Sequence, residues 1–484
     1  MADLSQFKQV DEVTWEIGSD FRGDMNVPVR IIATEDLLSE LDQGAVDQLI
    51  NVSTLQGIDG YSFAMPDSHW GYGAPVGSVF ATDPENEGVI SPGAIGFDIN
   101  CGMRLIRTDL SYENVKPKLE RLIDDLFATV PTGVGSSGAL RNLSKEEMTE
   151  VMKRGAKFCV DKGGGWESDI KHSEDEGCIE GADPEAVSGK AIDRGKSQLG
   201  TLGSGNHYLE IQVLKKENIY DWDVAEELGL FPNQIVIMIH TGSRGFGHQI
   251  CTDYLDFFES AMDRYNISVP DDQLACAPIN SQEGKDYYSA MAAAANFAFA
   301  NRQTITHKTR EVFADLFDSD PKDDLQMELI YDVAHNIAKK EMQPNGKELL
   351  VHRKGATRAF GPDNSEIPKD YQNTGQPVII GGSMETGSAL LVGTKKAEEK
   401  TFGSTAHGSG RTMSRNQAKK KIHGKDKQRE MKQKGIKVKA ADMAVLAEES
   451  GFAYKDLDDV ISTVSKAKIS RPVAKLTPAG NIKG

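Results

Sequence analysis

The 484-residue chain lacks any apolar run of the roughly 18 residues that a membrane-spanning helix needs. Its first residues, Met-Ala-Asp-Leu-Ser-Gln, have neither the basic nor the apolar region of a secretory signal. The five cysteines are few, odd in number and widely scattered: Cys101, Cys159, Cys178, Cys251 and Cys276. This usage favours a reducing compartment over a disulfide framework. We therefore expect a cytoplasmic protein with no membrane partner.

Several nucleotide- and metal-binding motifs are also missing. No Cys-x-x-Cys or His-x-x-x-His spacing is present, which excludes a zinc finger. The segment from Gly189 to Ser197 comes close to a phosphate-binding P-loop, but it has five intervening residues rather than four. The Lys-x-Asp-Gly motif of lysine-nucleophile ligases is absent too. The sequence therefore predicts neither a P-loop fold nor a lysine-nucleophile nucleotidyltransferase.

Positive charge is scarce overall but concentrated in one place. The net charge is -18, which disfavours nucleic acid when the chain is taken as a whole. Residues 411–439, however, hold twelve Lys and Arg against Asp426 and Glu430, a local balance of about +10. Such a basic helical segment is typical of a track for polyphosphate or nucleic acid. A solvated helix with no ligand explains the composition equally well.

Hydrophobic periodicity predicts a mixed α/β fold. With no internal repeat and no Pro/Ser linker, we expect a single large domain over residues 1–484, with a β-rich core and surrounding helices. Strands are predicted at 78–81, 208–213, 234–239, 349–352 and 377–380, and helices at 35–43, 45–50, 113–128, 145–160, 287–317, 327–341 and 440–466. We expect a buried or site-lining loop at 60–77, a surface excursion at 162–189 and an end broken by Pro472 and Pro478.

A carboxylate and a thiol lie three residues apart in the segment from Gly93 to Arg104. Asp98 and Cys101 sit among Gly93, Gly96 and Gly102, and glycines permit the tight turn that aims both side chains at one point. A buried cysteine beside a strand is more often a small core residue than a ligand. Only the histidines elsewhere in the chain strengthen the hypothesis that Asp98 and Cys101 are ligands.

Three histidines occur in settings similar to that of Cys101. His207 follows Gly203-Ser-Gly-Asn and precedes a strand, His240 ends a strand, and His335 lies on the helix predicted over 327–341. A lone histidine in such a place is usually structural. Together with Asp98 and Cys101, these side chains have the chemistry to hold two borderline divalent ions with a bridging sulfur. Ligand softness alone leaves zinc open as the metal.

Two glycine-rich segments suit phosphate groups. His407 lies in Ala406-His-Gly-Ser-Gly-Arg411, where backbone N–H groups and two arginines, Arg411 and Arg415, accompany an imidazole free to attack. Pro377-Val-Ile-Ile-Gly-Gly-Ser runs from a strand into a Gly/Ser turn that resembles a nucleotide-phosphate cradle. Glycine-rich turns without a ligand are common, so phosphate binding by either segment is a hypothesis.

Seven segments in order resemble the signature blocks of the RtcB family of RNA-splicing ligases, from about Asp59 to the last residue. They are Met65-Pro-Asp-Ser-His-Trp-Gly-Tyr-Gly, Gly96-Phe-Asp-Ile-Asn-Cys-Gly-Met-Arg, Gly203-Ser-Gly-Asn-His, His240-Thr-Gly-Ser-Arg-Gly, Asp332-Val-Ala-His-Asn, His352-Arg-Lys-Gly-Ala-Thr-Arg and Ala406-His-Gly-Ser-Gly-Arg.

The resemblance implies a role for each matching residue. Asp98, Cys101 and His207 would hold one Mn²⁺, Cys101, His240 and His335 would hold a second, and His407 would be the nucleophile that takes GMP from GTP. The implied guanylate pocket consists of Asn206, Tyr208, Glu210, Asn336, Gly381, Gly382, Ser383, Met384, Ser388, Gly408, Ser409, Gly410, Tyr454 and Lys483. The implied RNA contacts are Arg194, Arg244, Lys354, Arg411 and Arg415.

The activity that the resemblance implies is GTP-dependent joining of an RNA 3′-phosphate or 2′,3′-cyclic phosphate end to a 5′-OH end. The expected partners are RNAs with such ends, as in cleaved tRNA halves or nicked RNA, and an activator of the archease type. Two alternatives are a metal-dependent phosphohydrolase acting on RNA ends and a non-catalytic RNA-binding protein. A plain hydrolase has no need for His407 in its Gly/Ser setting, and a binding protein leaves five metal-type ligands unexplained.

Overall fold

The computed structural model describes residues 2–136, 138 and 142–484. The strands in this part of the chain are β1 (Lys8–Asp11), β2 (Thr14–Ile17), β3 (Val29–Ile32), β4 (Ile58–His69), β5 (Val76–Thr82), β6 (Val89–Ile90), β7 (Gly102–Ser111), β8 (Tyr208–Leu214), β9 (Gln234–Thr241), β10 (Ala277–Pro278), β11 (Leu329–Ala334), β12 (Asn336–Met342), β13 (Glu348–Lys354), β14 (Ala356–Arg358), β15 (Pro377–Gly381), β16 (Ser388–Gly393), β17 (Ser404–Ala406), β18 (Lys437–Ala440) and β19 (Ser470–Lys483).

The helices of the described residues surround these strands. They are α1 (Glu35–Ser39), α2 (Gln43–Val52), α3 (Tyr112–Val115), α4 (Leu119–Thr129), α5 (Lys145–Arg154), α6 (Ala156–Asp161), α7 (Glu167–Lys171), α8 (Gly189–Gly195), α9 (Trp222–Glu227), α10 (Arg244–Tyr265), α11 (Gln282–Phe317), α12 (Lys395–Lys400), α13 (Arg415–Lys421), α14 (Gly424–Gln433), α15 (Met443–Glu448) and α16 (Leu457–Lys466). None of these helices is long and apolar enough to cross a membrane.

Two large sheets organise the fold. The first has the strand order β1-β2-β3-β4-β5-β13-β12, and the second has the order β11-β7-β9-β8-β19-β16-β15, with β18 beside β19. Consecutive strands β11 and β12 belong to different sheets and are separated by His335 alone. The chain therefore passes from one sheet to the other at a predicted metal ligand. The predicted mixed α/β class is confirmed.

Antiparallel pairing brings the predicted site segments to one end of the second sheet. The pairs Gly102↔Thr241, Tyr208↔His240 and Ala334↔Gly102 align the starts of β7 and β8 with the ends of β9 and β11. Lys483 at the end of β19 lies opposite Tyr208. Residues that are hundreds of positions apart therefore meet at a single edge.

Helix α11 forms much of the core because it is buried almost from end to end. Its segment from Ala290 to Ala300 presents mostly alanines, which allow α5, α6 and α10 to pack close to its backbone. Ser281 caps its first turn by accepting a hydrogen bond from the Gly284 N–H group. The predicted helix at 287–317 is confirmed and begins earlier than expected.

The helix predicted over 327–341 is wrong, since this segment forms β11 and β12. The Ala, Lys and Glu content favours a helix, but local propensity is a weak prior when long-range contacts compete. The Asp332 side chain in β11 pairs with Arg104 and Arg302, and β12 aligns with β13 through seven residue pairs. His335 consequently lies between two strands and not on a helix.

The expected Pro-broken end of the chain is wrong too, because residues 470–483 form the continuous strand β19. Strands β16 and β8 are its neighbours. Its register shifts opposite Leu390 and Leu391, near Pro472, and again between Pro478 and Gly480. Bulges of this kind let a strand accommodate prolines, which donate no ladder hydrogen bond. The helix predicted over 440–466 is divided into α15 and α16.

Two further expectations fail in part. Residues 60–77 consist largely of strands β4 and β5 and not of a loop. The stretch 162–189 contributes to the interior, because Asp169 and Glu174 are buried and form ion pairs with Arg310 and Lys339. A charged, glycine-rich composition does not reveal such pairing.

Candidate active site

Four side chains predicted as metal ligands converge at the edge of the second sheet. The Cys101 Sγ atom lies 3.3 Å from His207 Nε2 and 3.3 Å from His240 Nε2. A further 3.3 Å separates the Nε2 atoms of His240 and His335. The ligand atoms of Cys101, His207 and His240 all lie within 4.8 Å of one another. Cys101 therefore stands at the centre of the group, as expected of a bridging ligand.

Asp98 joins this group through His207. Its Oδ2 atom lies 3.0 Å from His207 Nε2, and the Cys101 N–H group donates to the Asp98 carbonyl in the turn that brings the two side chains together. The His335 N–H group donates to the Cys101 carbonyl over 2.8 Å. The backbone thus fixes both the turn and the crossover between the sheets.

Burial shapes the protonation of the cluster. Burial, together with neighbouring positive charge, lowers the pKa of His207, His240 and His335, so the rings are neutral at pH 7. Burial opposes ionisation of Asp98, but the His207 hydrogen bond and charge and the Arg244 charge outweigh it and lower the pKa. Burial and the Asp98 charge raise the pKa of the Cys101 thiol well above its ordinary value.

The donor set fits divalent metal ions. The Nδ1 atom of His207 lies 3.1 Å from the Leu202 carbonyl oxygen and 3.1 Å from Arg244 Nη1, so its Nε2 atom faces Asp98 and Cys101. Neutral imidazoles, a carboxylate and a cysteine sulfur are the ligands that borderline divalent cations prefer. Their convergence at hydrogen-bond distances leaves several lone pairs aimed at the same space.

His407 lies beside this cluster, held by a carboxylate that the sequence prediction did not assign. Its ring is 4.8 Å from that of His335, and its Nδ1 atom is 2.7 Å from Asp67 Oδ2. The same carboxylate oxygen accepts hydrogen bonds from the backbone N–H groups of His407 and Gly408. An ionised carboxylate only accepts, so Nδ1 carries the proton and Nε2 has a free lone pair.

The loop after His407 is attached to the glycine turn that follows β15. The Gly381 N–H group donates to the His407 carbonyl, and the Ser409 N–H group donates to the Gly381 carbonyl. Gly410 has a φ of 72°, and a Cβ atom there would lie 2.0 Å from the Asp67 carbonyl oxygen. Only glycine fits this position, because both the backbone angle and the space exclude a side chain.

A cavity of about 360 Å³ connects the metal-ligand cluster, His407 and the two glycine segments. The residues predicted for the site that line this cavity are Asp98, Cys101, Asn206, His207, Tyr208, His240, His335, Asn336, Lys354, Gly381, Gly382, His407, Gly408, Ser409, Gly410, Arg411, Arg415, Tyr454 and Lys483. Those that lie outside its lining are Arg194, Glu210, Arg244, Ser383, Met384 and Ser388.

Acidic and basic groups alternate at the end of the cavity near Tyr208. The Lys483 Nζ atom lies 4.9 Å from the Tyr208 ring centroid and 3.8 Å from Glu449 Oε2. Burial raises the pKa of Glu210 to about 8 and lowers that of Lys483. Glu210 accepts a hydrogen bond from the Asn481 amide, which ties it to β19.

The basic residues predicted to contact RNA occupy different environments. Arg194 is exposed on α8, whereas Lys354 is buried and donates to the carbonyls of Tyr72 and Gly93. Arg411 donates to the Tyr454 hydroxyl and to Glu449, and Arg415 lies 3.6 Å from the same carboxylate. Their contacts with RNA remain predictions.

Asp67 and Arg302 support the site, and the sequence analysis assigns a role to neither. Buried Arg302 donates to the Asn100 and Thr241 carbonyls and pairs with Asp332, so it joins the Cys101 turn to the end of β9. Asp67 lies within the Met65-Pro-Asp-Ser-His block, where an ionisable residue in an apolar stretch is a signal for a buried, paired charge. Arg302 has no such local signal in α11.

Comparison with known proteins shows the family to which this chain is similar. The profile of the family described as tRNA-splicing ligase RtcB matches residues 48–484. A tRNA-splicing ligase RtcB of Archaeoglobus fulgidus is 52% identical over 480 residues, covering 99% of this chain and 98% of that protein. The proteins of the same description from Methanococcus maripaludis and Thermococcus kodakarensis are 50% and 48% identical, over 99% and 100% of this chain and 100% of each relative.

Full-length similarity at this level, together with a metal-ligand cluster beside an oriented histidine, defines an RNA ligase. More specifically, the chain belongs to the tRNA-splicing ligase RtcB family.

Proposed function

We propose that this enzyme joins RNA 3′-phosphate or 2′,3′-cyclic phosphate ends to 5′-OH ends with GTP, through a guanylyl-histidine on His407. The observation that carries the proposal is the Asp67–His407 hydrogen bond, because it leaves one ring nitrogen free to attack inside the cavity. The family supplies the expectation of RNA joining, and the oriented imidazole supplies a nucleophile for nucleotide transfer.

In the first step, the His407 Nε2 lone pair attacks the α-phosphorus of GTP. A P–N bond forms, the bond from the α-phosphorus to the bridging oxygen breaks, and pyrophosphate leaves. The Nδ1 proton stays hydrogen-bonded to Asp67, which stabilises the positive charge that develops on the ring. The same hydrogen bond holds the ring in its orientation within the cavity.

The next two steps move GMP and then release it. An oxygen of the RNA 3′-phosphate attacks the phosphorus of the guanylyl group, the P–N bond breaks, and an RNA-3′-pp-G end forms. The 5′-OH of the second RNA attacks the activated 3′-phosphorus and loses its proton, and GMP leaves. A 2′,3′-cyclic phosphate is first opened by water to give the 3′-phosphate.

Asp98, Cys101 and His207 are proposed to hold one Mn²⁺, and Cys101, His240 and His335 a second. The bound ions would neutralise phosphate charge and polarise the phosphorus centres. Metal identity follows from the family resemblance, since the donor set alone also suits zinc. Coordination to the ions would occupy lone pairs of His240 and His335, which leaves His407 as the histidine available for attack.

The guanylate pocket is proposed to occupy the cavity end formed by Asn206, Tyr208, Asn336, Tyr454 and Lys483. The loop from Gly408 to Gly410 and the Gly381-Gly382 turn line this cavity, and we propose that the phosphate groups lie against them. Glu210, Ser383, Met384 and Ser388 would support this pocket from behind its wall. The RNA ends would contact Arg194, Arg244, Lys354, Arg411 and Arg415, with the basic segment 411–439 extending that track.

The relatives are described as tRNA-splicing ligases, and we propose tRNA halves or nicked RNA as substrates here. A cytoplasmic location and an archease-type activator belong to the same proposal. We also propose that residues 1–484 form a single catalytic domain, because the cavity takes residues from His69 to Lys483.

A joining assay with defined RNA ends tests the proposed function. One RNA carries a 3′-phosphate and the other a 5′-OH, and product is measured with GTP and Mn²⁺ for the wild type, His407→Ala and His307→Ala. His307 lies on α11, outside the cavity lining and the basic segment 411–439, and 3.2 Å from the Glu311 carboxylate, so its variant serves as a control. We expect joining in the wild type and in His307→Ala, and none in His407→Ala.

Removal of the 3′-phosphate without joining, in a GTP-independent manner, would instead identify a metal-dependent phosphohydrolase. Joining that persists in His407→Ala would show that another group carries the nucleotide.

A further inference from the structure

Three aromatic rings form a continuous track that runs from the cavity to the protein surface. Tyr72 and Phe97 both line the cavity, and their ring centroids are 5.0 Å apart. Phe97 stacks on His248, with centroids 4.8 Å apart and ring planes inclined by 26°. Tyr72 and Phe97 are half-buried and His248 is exposed, so this aromatic track reaches solvent at His248.

The aromatic track is fixed to the walls of the site. Phe97 immediately precedes Asp98, and the Tyr72 carbonyl accepts a hydrogen bond from Lys354. The inner faces of Tyr72 and Phe97 pack against the hydrophobic core. Because their positions are set by the same loops that place Asp98, a ligand stacked on them would be held beside the reacting groups.

Charge beside the aromatic track suits a nucleic-acid backbone. Exposed Arg194 donates to the side chain of Gln249, the residue after His248, over 2.8 Å. Burial and the nearby Arg194 charge lower the pKa of His248, so its ring is neutral at pH 7 and presents an uncharged stacking face. A neutral ring with a guanidinium alongside matches a base joined to a phosphate.

We propose that the aromatic track of Tyr72, Phe97 and His248 stacks bases of an RNA end entering the site, while Arg194 contacts its backbone. This inference rests on the proposed ligase function and adds a subsite to it. Stacking on aromatic rings recognises unpaired bases with little regard to sequence, because every base has a π-face. An enzyme that joins ends of differing sequence needs such a contact.

Binding of short single-stranded RNAs tests the aromatic track. One RNA carries a 3′-phosphate and a blocked 5′ end, and the other a 5′-OH and a blocked 3′ end. Fluorescence anisotropy compares the wild type, His248→Ala, His248→Phe, Phe97→Leu and, as a control, Trp222→Ala. Trp222 is another exposed aromatic residue, which lies on α9 outside the aromatic track.

We expect His248→Ala and Phe97→Leu to weaken binding of one of the two RNAs about 5-fold or more, as loss of a stacked base predicts. His248→Phe should restore binding, since a ring face is regained, and Trp222→Ala should match the wild type. Affinity within about 2-fold of the wild type for both RNAs, in both His248→Ala and Phe97→Leu, would overturn the proposal.

An abasic nucleotide next to the RNA end identifies the stacked base. Its effect should be large in the wild type and small in His248→Ala, because both changes remove the same contact. Equal effects in both proteins would contradict stacking. Guanylylation by GTP without RNA should be unchanged in His248→Ala, so failure of GTP chemistry and failure of the aromatic track give different results.

Discussion

The Oδ2 atom of Asp67 lies 2.7 Å from Nδ1 of His407, although 340 positions separate the two residues. Asp67 is fully buried and its Oδ2 atom accepts hydrogen bonds from two backbone N–H groups as well. One oxygen atom therefore sets the position, the rotation and the tautomer of the proposed nucleophile. This arrangement makes Asp67 a positioning residue.

Asp67→Asn should reduce guanylylation at least about 100-fold, because an amide in this place no longer selects the tautomer with a free Nε2. Single-turnover labelling with GTP measures the rate, and metal content should stay unchanged. Asp59→Asn is the matched control, since Asp59 lies on the same strand in a partly exposed ion pair with Lys347. Equal rates for Asp67→Asn and the wild type would contradict the positioning role.

Cys101→Ala should abolish binding of both metal ions, because Cys101 Sγ contacts ligands of both proposed sites. The metal content of purified protein, measured by mass spectrometry, provides the test. Cys276→Ala provides the control, since this cysteine is buried in a hydrophobic cluster and is not part of the cavity lining. Retention of one ion by Cys101→Ala would show that the sulfur does not bridge.

Arg302→Met should lower the free energy of unfolding by about 3–5 kcal/mol, because it leaves Asp332 short of a partner in the interior. Arg302 is fully buried and also holds the Asn100 and Thr241 carbonyls. Lys308→Met, on the same helix, removes a partly exposed pair with Glu311 and should cost no more than about 1 kcal/mol. Urea unfolding of both variants measures the difference, and similar values would refute the structural role.

Lys354 should make stability depend on pH. Burial lowers its pKa to about 7 from an ordinary value of 10.5, so between these values the unfolded chain binds more protons than the folded one. The stability of the wild type relative to Lys354→Met should therefore rise with pH, by up to about 1.4 kcal/mol per pH unit in this window. Unfolding of both proteins at pH 6.5 and pH 9 measures the change. A constant difference would place the pKa outside the window.

The structure brings Asp98, Cys101 and the three histidines together, as the sequence reasoning expects, but some of the elements that carry them differ from the prediction. The Ala, Lys and Glu content around His335 favours a helix, yet His335 lies between strands of two sheets. Pairing of Asp332 with Arg104 and Arg302 is a long-range relationship that periodicity does not report. The strands at 208–213 and 234–239 were predictable because buried strands have continuous apolar runs.

Asp67 shows the same limit within the site. Its block was recognisable as a signature, but a carboxylate partner for His407 becomes visible only when β4 and β17 are brought together by the fold. The cluster of Asp98, Cys101 and the three histidines was predictable from glycine-rich settings and family resemblance. The spatial order, with Cys101 between His207 and His240, required the structure.

Labelling of the protein by GTP is the most direct test of His407 as the nucleophile. Wild-type enzyme is incubated with Mn²⁺ and GTP labelled at the α-phosphate, and the labelled protein is tested in acid and in alkali. A guanylyl group on His407 predicts label that is lost in acid, survives in alkali and is absent from His407→Ala. No label in a sample shown to contain metal, or label that persists in His407→Ala, would contradict the assignment of His407 as the nucleophile.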